Sequence, residues 1–349
     1  MKVLLVGHDF DFSAGDGISR YSYELYNGLR KLADVRTIAT GKTPRPVRAF
    51  FNIKARDADI VHLMYPDVAN IDKGKAKMAI MWHDMRLFTK YDEERQARSK
   101  PKLSERFNVA SSMIRRWALS NYSSSDANLC NSTQTLAELK AHVRSEKAYK
   151  RGKRYAVTPL GVNPEFLRNR VWNGDRKDFA YVGSIHLKHK NLTGLLEVFN
   201  RIAESSDSKL HIFTPSQGAA EQLGIAIRYF RRLSSRNVVL HRMSTTTEIS
   251  GYLPQMAGYL QLTKHEGFGI PILEALASGT NVLTLKGSSI PDEVKKYTFA
   301  GTEAEVVKKA LELAKDPTPA PPRAISYARS FTWERTVRET LRVYEKLLG

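Results

Sequence analysis

Short apolar runs, each followed by a longer stretch of helical period, recur along this 349-residue chain and begin afresh near its middle. In the first series Val3–Val6 reads as a buried strand, and Ile18, Tyr21, Leu25, Leu29 and Leu32 follow at helical spacing. Further strands are predicted at Val35–Ala39, Ile60–Met64, Met78–Trp82, Ala127–Cys130 and Tyr155–Val157. The second series has strands at Phe179–Val182, Lys209–Phe213, Val238–Leu240, Tyr259–Leu262 and Asn281–Leu285, with a helical segment over Leu192–Ile202. Strands separated by helices need crossover connections, and these give parallel, doubly wound sheets. The length suits two domains better than one oversized sheet. The turn-rich stretch around Pro159 to Lys177 divides them, so the expected spans are 1–165 and 166–330. Pro317, Pro319, Pro321 and Pro322 then mark a second break. Beyond it, Val337, Leu341, Tyr344 and Leu348 define an amphipathic helix over 331–349 that is expected to pack back toward the N-terminal domain.

Charge and cysteine content narrow the function classes. The chain carries 55 Lys plus Arg against 36 Asp plus Glu, a formal charge of +19, while 42% hydrophobic residues support folded cores. A single cysteine, Cys130, leaves no intramolecular disulfide framework, and a reducing, cytoplasmic setting is the simpler expectation. The apolar start Val3–Val6 is too short for a signal-peptide core, and no stretch has the length of a spanning helix. Membrane contact is therefore expected from the surface, peripherally on the inner face. Three basic segments stand out in the first half: Lys42–Arg56, Arg98–Arg116 and Glu138–Arg154. The first interleaves Arg45, Arg48, Lys54 and Arg56 with Phe50 and Phe51 and has no acid, which suits an anionic membrane or acceptor surface.

In open parallel sheets ligands sit beyond the carboxyl ends of the strands, so chemistry is sought just after each one. After Tyr259–Leu262 comes Glu266-Gly267-Phe268-Gly269-Ile270-Pro271-Ile272-Leu273-Glu274. The glycines let backbone approach a ligand, Pro271 suits a first helical turn, and the free N–H groups with a carboxylate at each end fit sugar hydroxyls and phosphate. A tight loop opening a helix is the plainer alternative for the same residues.

This string resembles the E-x7-E motif of retaining GT-B glycosyltransferases, specifically glycosyltransferase family four, and other segments match that family in order. Gly15-Asp16-Gly17-Ile18-Ser19-Arg20-Tyr21 resembles its N-terminal glycine loop, and His83-Asp84 its His-Asp after a strand. Asn131-Ser132-Thr133 is similar to its Ser-rich helix start, and Pro159 to Phe166 to its hinge. Tyr181-Val182-Gly183 through Lys190-Asn191-Leu192 and Phe331-Thr332-Trp333-Glu334 are similar to two further blocks. The resemblance spans nearly the whole chain. It implies the GT-B fold, two facing Rossmann-like domains with a terminal helix crossing back.

It also implies roles. Glu266 would approach the transferred sugar, and Glu274 would bind the nucleotide ribose. The N–H groups of Gly267, Phe268, Gly269 and Ile270 would reach sugar hydroxyls and diphosphate, beside Gly183 and Ser184. Lys190 would neutralise the departing diphosphate, Gly17 would present its N–H to it, and His83 would approach the sugar through its ring or carbonyl. The family often has an arginine where Ser184 and His189 stand, so the diphosphate loses a forked donor here. The implied activity is hexosyl transfer from a UDP-, GDP- or ADP-sugar to a glycan, lipid-linked or membrane-proximal acceptor, with retention. The resemblance implies no metal site, so no metal or other cofactor is expected. The competing readings are a catalytically silent GT-B partner subunit and a basic protein that binds or glycosylates nucleic acid.

Overall fold

The computed structural model describes residues 1–11, 17–41, 52–85, 88, 104–146, 148, 152–168, 177–185, 188–215, 218–242 and 245–349, with backbone alone for 104–112 and 188. These fall into two compact units, Met1–Leu160 with Trp333–Gly349, and Gly161–Thr332. The divisions lie a few residues from the expected 165/166 and 330/331. Gly161 to Phe166 goes with the second unit because its backbone is tied there, Val162 N–H donating to Phe331 O at 2.9 Å.

In the first unit β1 (Lys2–Gly7), β2 (Asp34–Ala39), β4 (Ile60–Leu63), β6 (Lys77–Trp82), β7 (Ala127–Cys130) and β8 (Arg154–Val157) form one six-stranded sheet in the order β2-β1-β4-β6-β7-β8. Every pairing in it is parallel. The short β3 (Asn52–Lys54) and β5 (Asn70–Asp72) pair separately. Neither was visible as an apolar run, since three polar-flanked residues carry no periodicity. The helix Gly17–Leu29 follows β1 and buries Tyr21, Leu25 and Leu29; Leu32, expected on the same face, lies past the helix end and is 61% exposed.

The terminal helix spans Trp333–Leu348 and packs on the helix Gly17–Leu29. Its buried face is Trp333, Thr336, Val337, Thr340, Val343 and Tyr344. This differs from the expected stripe: Leu341 is half-buried and Leu348 exposed. Two threonines stand on the inner face, and Thr336 Oγ1 is satisfied there by donating to Pro159 O at 2.7 Å.

Tyr344 reaches the buried His62 of β4, whose Nδ1 it hydrogen-bonds, and Tyr21 Oη lies 3.4 Å from His62 Nε2. Burial first, and the neighbouring His83 second, push the His62 imidazole down to about 3. The unfolded chain takes up a proton on this residue near pH 6.5 whereas the folded chain does not, so stability falls with pH between those values. From pH 7 to pH 5 His62 should account for about 2 kcal/mol of lost unfolding free energy. Urea titrations at both pH values test this: His62→Phe should show a shallower pH slope by that amount, and an unchanged slope would refute the assignment.

The second unit repeats the architecture with β9 (Phe179–Val182), β10 (Leu210–Thr214), β11 (Val238–Arg242), β12 (Gly258–Gln261), β13 (Val282–Leu285) and β14 (Phe299–Gly301), ordered β11-β10-β9-β12-β13-β14 and all parallel. The edge strand β14 was not expected from sequence. Helices Leu192–Ala203 and Glu303–Lys315 pack together, and Leu195, Phe199, Ile202, Val306 and Leu313 join the strands in one core. The strand order runs outward in both directions from the β9/β12 pair. That pair is the topological switch point, where a doubly wound sheet leaves a crevice at its carboxyl edge.

Candidate active site

The residues after β9 and after β12 meet at this switch point. Gly183 follows β9 with φ 150°, and a Cβ there would lie 3.0 Å from the Tyr181 hydroxyl. That hydroxyl donates to Ser184 O at 3.1 Å, which bends the chain away from the sheet. A short 3-10 turn, Lys188–Lys190, leads to Asn191, which takes up a left-handed conformation at φ 55° and ψ 49° before the helix Leu192–Ala203. Its Nδ2 donates to Leu262 O at 2.9 Å, and Thr263 Oγ1 donates to His189 O at 2.7 Å. These bonds fix the Lys190 turn against the end of β12.

Glu266 sits just beyond. Its backbone N–H donates to Ser289 O at 2.7 Å, and its side chain is almost fully buried. Lys190 Nζ donates to Glu266 Oε1 at 2.6 Å, with side-chain exposures of 16% and 10% for the pair. Gln261 Nε2 donates to the same oxygen at 2.7 Å. Two residues to which the family resemblance assigns separate roles, one for diphosphate and one for sugar, are thus bonded to each other. Gln261 was not singled out, although a glutamine inside the apolar strand Gly258–Gln261 was the available signal. A polar side chain on a central parallel strand must find a buried partner.

The loop after Glu266 opens the helix Ile270–Ala277 through Gly269, whose φ of 90° only glycine adopts without strain. Phe268 turns its side chain into the unit and packs edge-on against Phe331, with ring centroids 5.6 Å apart. Its aromatic ring is therefore structural, and only its backbone faces the loop. Pro271 lies in the first turn of this helix, which begins at Ile270 directly after Gly269. Glu274 lies one turn along the helix. Burial first, then Tyr181, Glu266 and Glu274, hold the Tyr259 phenol far above its ordinary value, so Tyr259 remains protonated and its hydroxyl donates to Gln261 Oε1 at 2.6 Å.

His83 and Gly17 belong to the first unit. His83 follows β6; its Nε2 is 3.0 Å from Met64 O, which makes that nitrogen the protonated one, and the Tyr21 ring meets its face at 5.1 Å. Asn131 Nδ2 donates to His83 O at 2.7 Å, a positioning contact that the sequence did not reveal. Ser132 caps the helix Thr133–Ser145 by accepting from Thr135 N–H at 3.0 Å. Gly17 is exposed at the start of its helix, and a Cβ there would meet nothing within 4 Å. Of the expected basic surface, Arg45, Arg48, Phe50 and Phe51 lie outside the described residues. Lys54 is exposed on β3, and Arg56 forks onto Asp72 Oδ2 at 3.1 and 2.7 Å, so its charge is already paired. No helix among the described residues is long and apolar enough to cross a membrane.

Two successive doubly wound parallel units match the GT-B architecture of glycosyltransferases. Over 99% of both chains the fold matches sucrose-phosphate synthase of Thermosynechococcus elongatus, with a TM-score of 0.73 and 15% identity. It also matches WaaG, a glycosyltransferase involved in lipopolysaccharide biosynthesis, with a TM-score of 0.66 and 13% identity over 100% of this chain and 98% of that one. Residues 162–331, the second unit almost to its ends, match the family Glycosyl transferases group 1. A curated relative, the MMP alpha-(1->4)-mannosyltransferase of Mycolicibacterium hassiacum, is 22% identical over 55% of this chain. The match takes in about half of that relative's length, 48%.

Proposed function

We propose that the chain is a retaining glycosyltransferase that moves a hexose from a UDP-, GDP- or ADP-sugar to a glycan or lipid-linked acceptor without a metal ion. The observation that carries this reading is the Lys190–Glu266 pair at the carboxyl edge of β9 and β12, beside the start of the helix Ile270–Ala277. When the bond from the sugar C1 to the diphosphate oxygen breaks, its electron pair goes to that oxygen. Lys190 and the loop N–H groups supply the positive charge that the leaving group then needs. The acceptor hydroxyl adds to C1 on the face just vacated, and its proton passes to the departing diphosphate. Glu266 faces the sugar as positive charge develops at C1, and Glu274 takes the ribose hydroxyls. Mannosyl transfer by the curated relative supports a hexose, and the lipopolysaccharide pathway of WaaG supports a lipid-linked acceptor.

A thermal-shift panel of UDP, GDP and ADP, run in EDTA, tests the donor site. One base is expected to raise the melting temperature of the wild type, and Glu274→Ala should lose most of that rise. No rise with any of the three would overturn the reading. With the base known, NMR of the product should show the anomeric configuration of the donor kept.

A further inference from the structure

Lys190 carries one ammonium and has two anionic claimants. Its partner among the described residues is Glu266, at 2.6 Å, yet the leaving diphosphate needs the same charge. A nearly buried carboxylate that loses its cation is strongly destabilised unless another donor remains. Gln261 supplies that donor. Its side chain is fully buried, and its direction is set from behind: Val182 N–H donates to the Tyr259 hydroxyl at 3.2 Å, and that hydroxyl, which also lies 3.2 Å from Val182 O, donates to the nearer acceptor, Gln261 Oε1, at 2.6 Å. With its carbonyl end taken, the amide can present only Nε2 to Glu266, at 2.7 Å. Both donors fall on Oε1, so the carboxylate stays anchored by one when the other departs.

We infer that Gln261, held by Tyr259, is a positioning residue that releases Lys190 to the donor diphosphate by keeping Glu266 hydrogen-bonded when the ion pair opens. The inference rests on the proposed donor site. In the free protein Glu266 holds Lys190; on binding, the ammonium turns to the diphosphate while Gln261 retains the carboxylate in its orientation toward the sugar. Without the amide, binding would strand Glu266. The diphosphate would then compete for Lys190 at a disadvantage.

A double-mutant cycle on binding separates this from a packing role. The probe is whichever of UDP, GDP and ADP stabilises the wild type, and the readout is its dissociation constant by calorimetry. Gln261→Met, close in volume, should weaken binding about tenfold, the scale expected when a buried polar group loses its remaining partner. Glu266→Gln alone should tighten binding severalfold, because it frees Lys190. In the Glu266→Gln background, Gln261→Met should have almost no effect. A merely structural glutamine would lose the same factor in both backgrounds, and that result, or an unchanged constant in the single variant, would overturn the inference while leaving the donor site intact. Tyr259→Phe gives a second route should Gln261→Met fold poorly, with a smaller loss that also vanishes when Glu266 is glutamine. A wild type that binds none of the three nucleotides would instead overturn the proposed function itself, and this inference with it.

Discussion

Glu266→Ala is expected to lower kcat about a thousandfold while the nucleoside diphosphate still binds. The size follows from the site's electrostatics: a charged group aimed at developing charge in a water-poor pocket contributes about 3 to 4 kcal/mol to the transition state, a factor of 10² to 10³. Glu266 meets the conditions for such an effect. It is almost buried, its Oε1 is held by Lys190 and Gln261 at 2.6 and 2.7 Å, and its backbone is pinned by Ser289. Loss of the side chain removes the negative charge proposed to face the sugar but leaves in place Lys190, the loop glycines and Glu274, the groups proposed for the nucleotide. Binding should therefore tighten or hold, not fall, and the change should appear in kcat. Steady-state kinetics beside calorimetry on the same preparation check both halves. Turnover within tenfold of wild type would show that Glu266 does not face the reacting sugar.

Much of this architecture could be read from the chain because buried parallel strands are short apolar runs whose signal is local. Ala127–Cys130 and Phe179–Val182 fall where they were expected, and the terminal helix keeps its predicted body. What escaped depends on distance along the chain. Lys190 and Glu266 are 76 positions apart, and His62 and Tyr344 are 282 apart; no spacing rule brings either pair together. The terminal helix shows the same limit in its rotation, because Thr336 becomes an inner-face residue only once its acceptor, Pro159 O, is known. Gln261 is an intermediate case. Its position in the Tyr-Leu-Gln-Leu strand marked a buried polar group, but only the fold shows that it serves Glu266 rather than a ligand.

Lys190→Met should be the more damaging change to donor use, lowering kcat/KM about 10³- to 10⁴-fold and weakening nucleoside diphosphate binding about thirtyfold. Two effects combine. The leaving diphosphate loses the one point charge assigned to it, in a site where Ser184 and His189 stand in place of a forked arginine, so the backbone N–H groups alone must hold the developing charge. Glu266 meanwhile keeps only Gln261 as a partner and confronts the incoming phosphate as an unneutralised anion. The second effect can be separated from the first. In Lys190→Met with Glu266→Gln, the repulsion is gone, so nucleotide binding should recover severalfold while transfer stays at the level of the weaker single variant. Lys190→Arg should restore binding better than turnover, because a planar fork carries the charge but cannot replace the compact ammonium between Glu266 Oε1 and the diphosphate. If Lys190→Met left nucleotide binding unchanged, the Lys190–Glu266 pair would be a structural bridge between the turn after β9 and the end of β12, and the diphosphate would have to be held elsewhere.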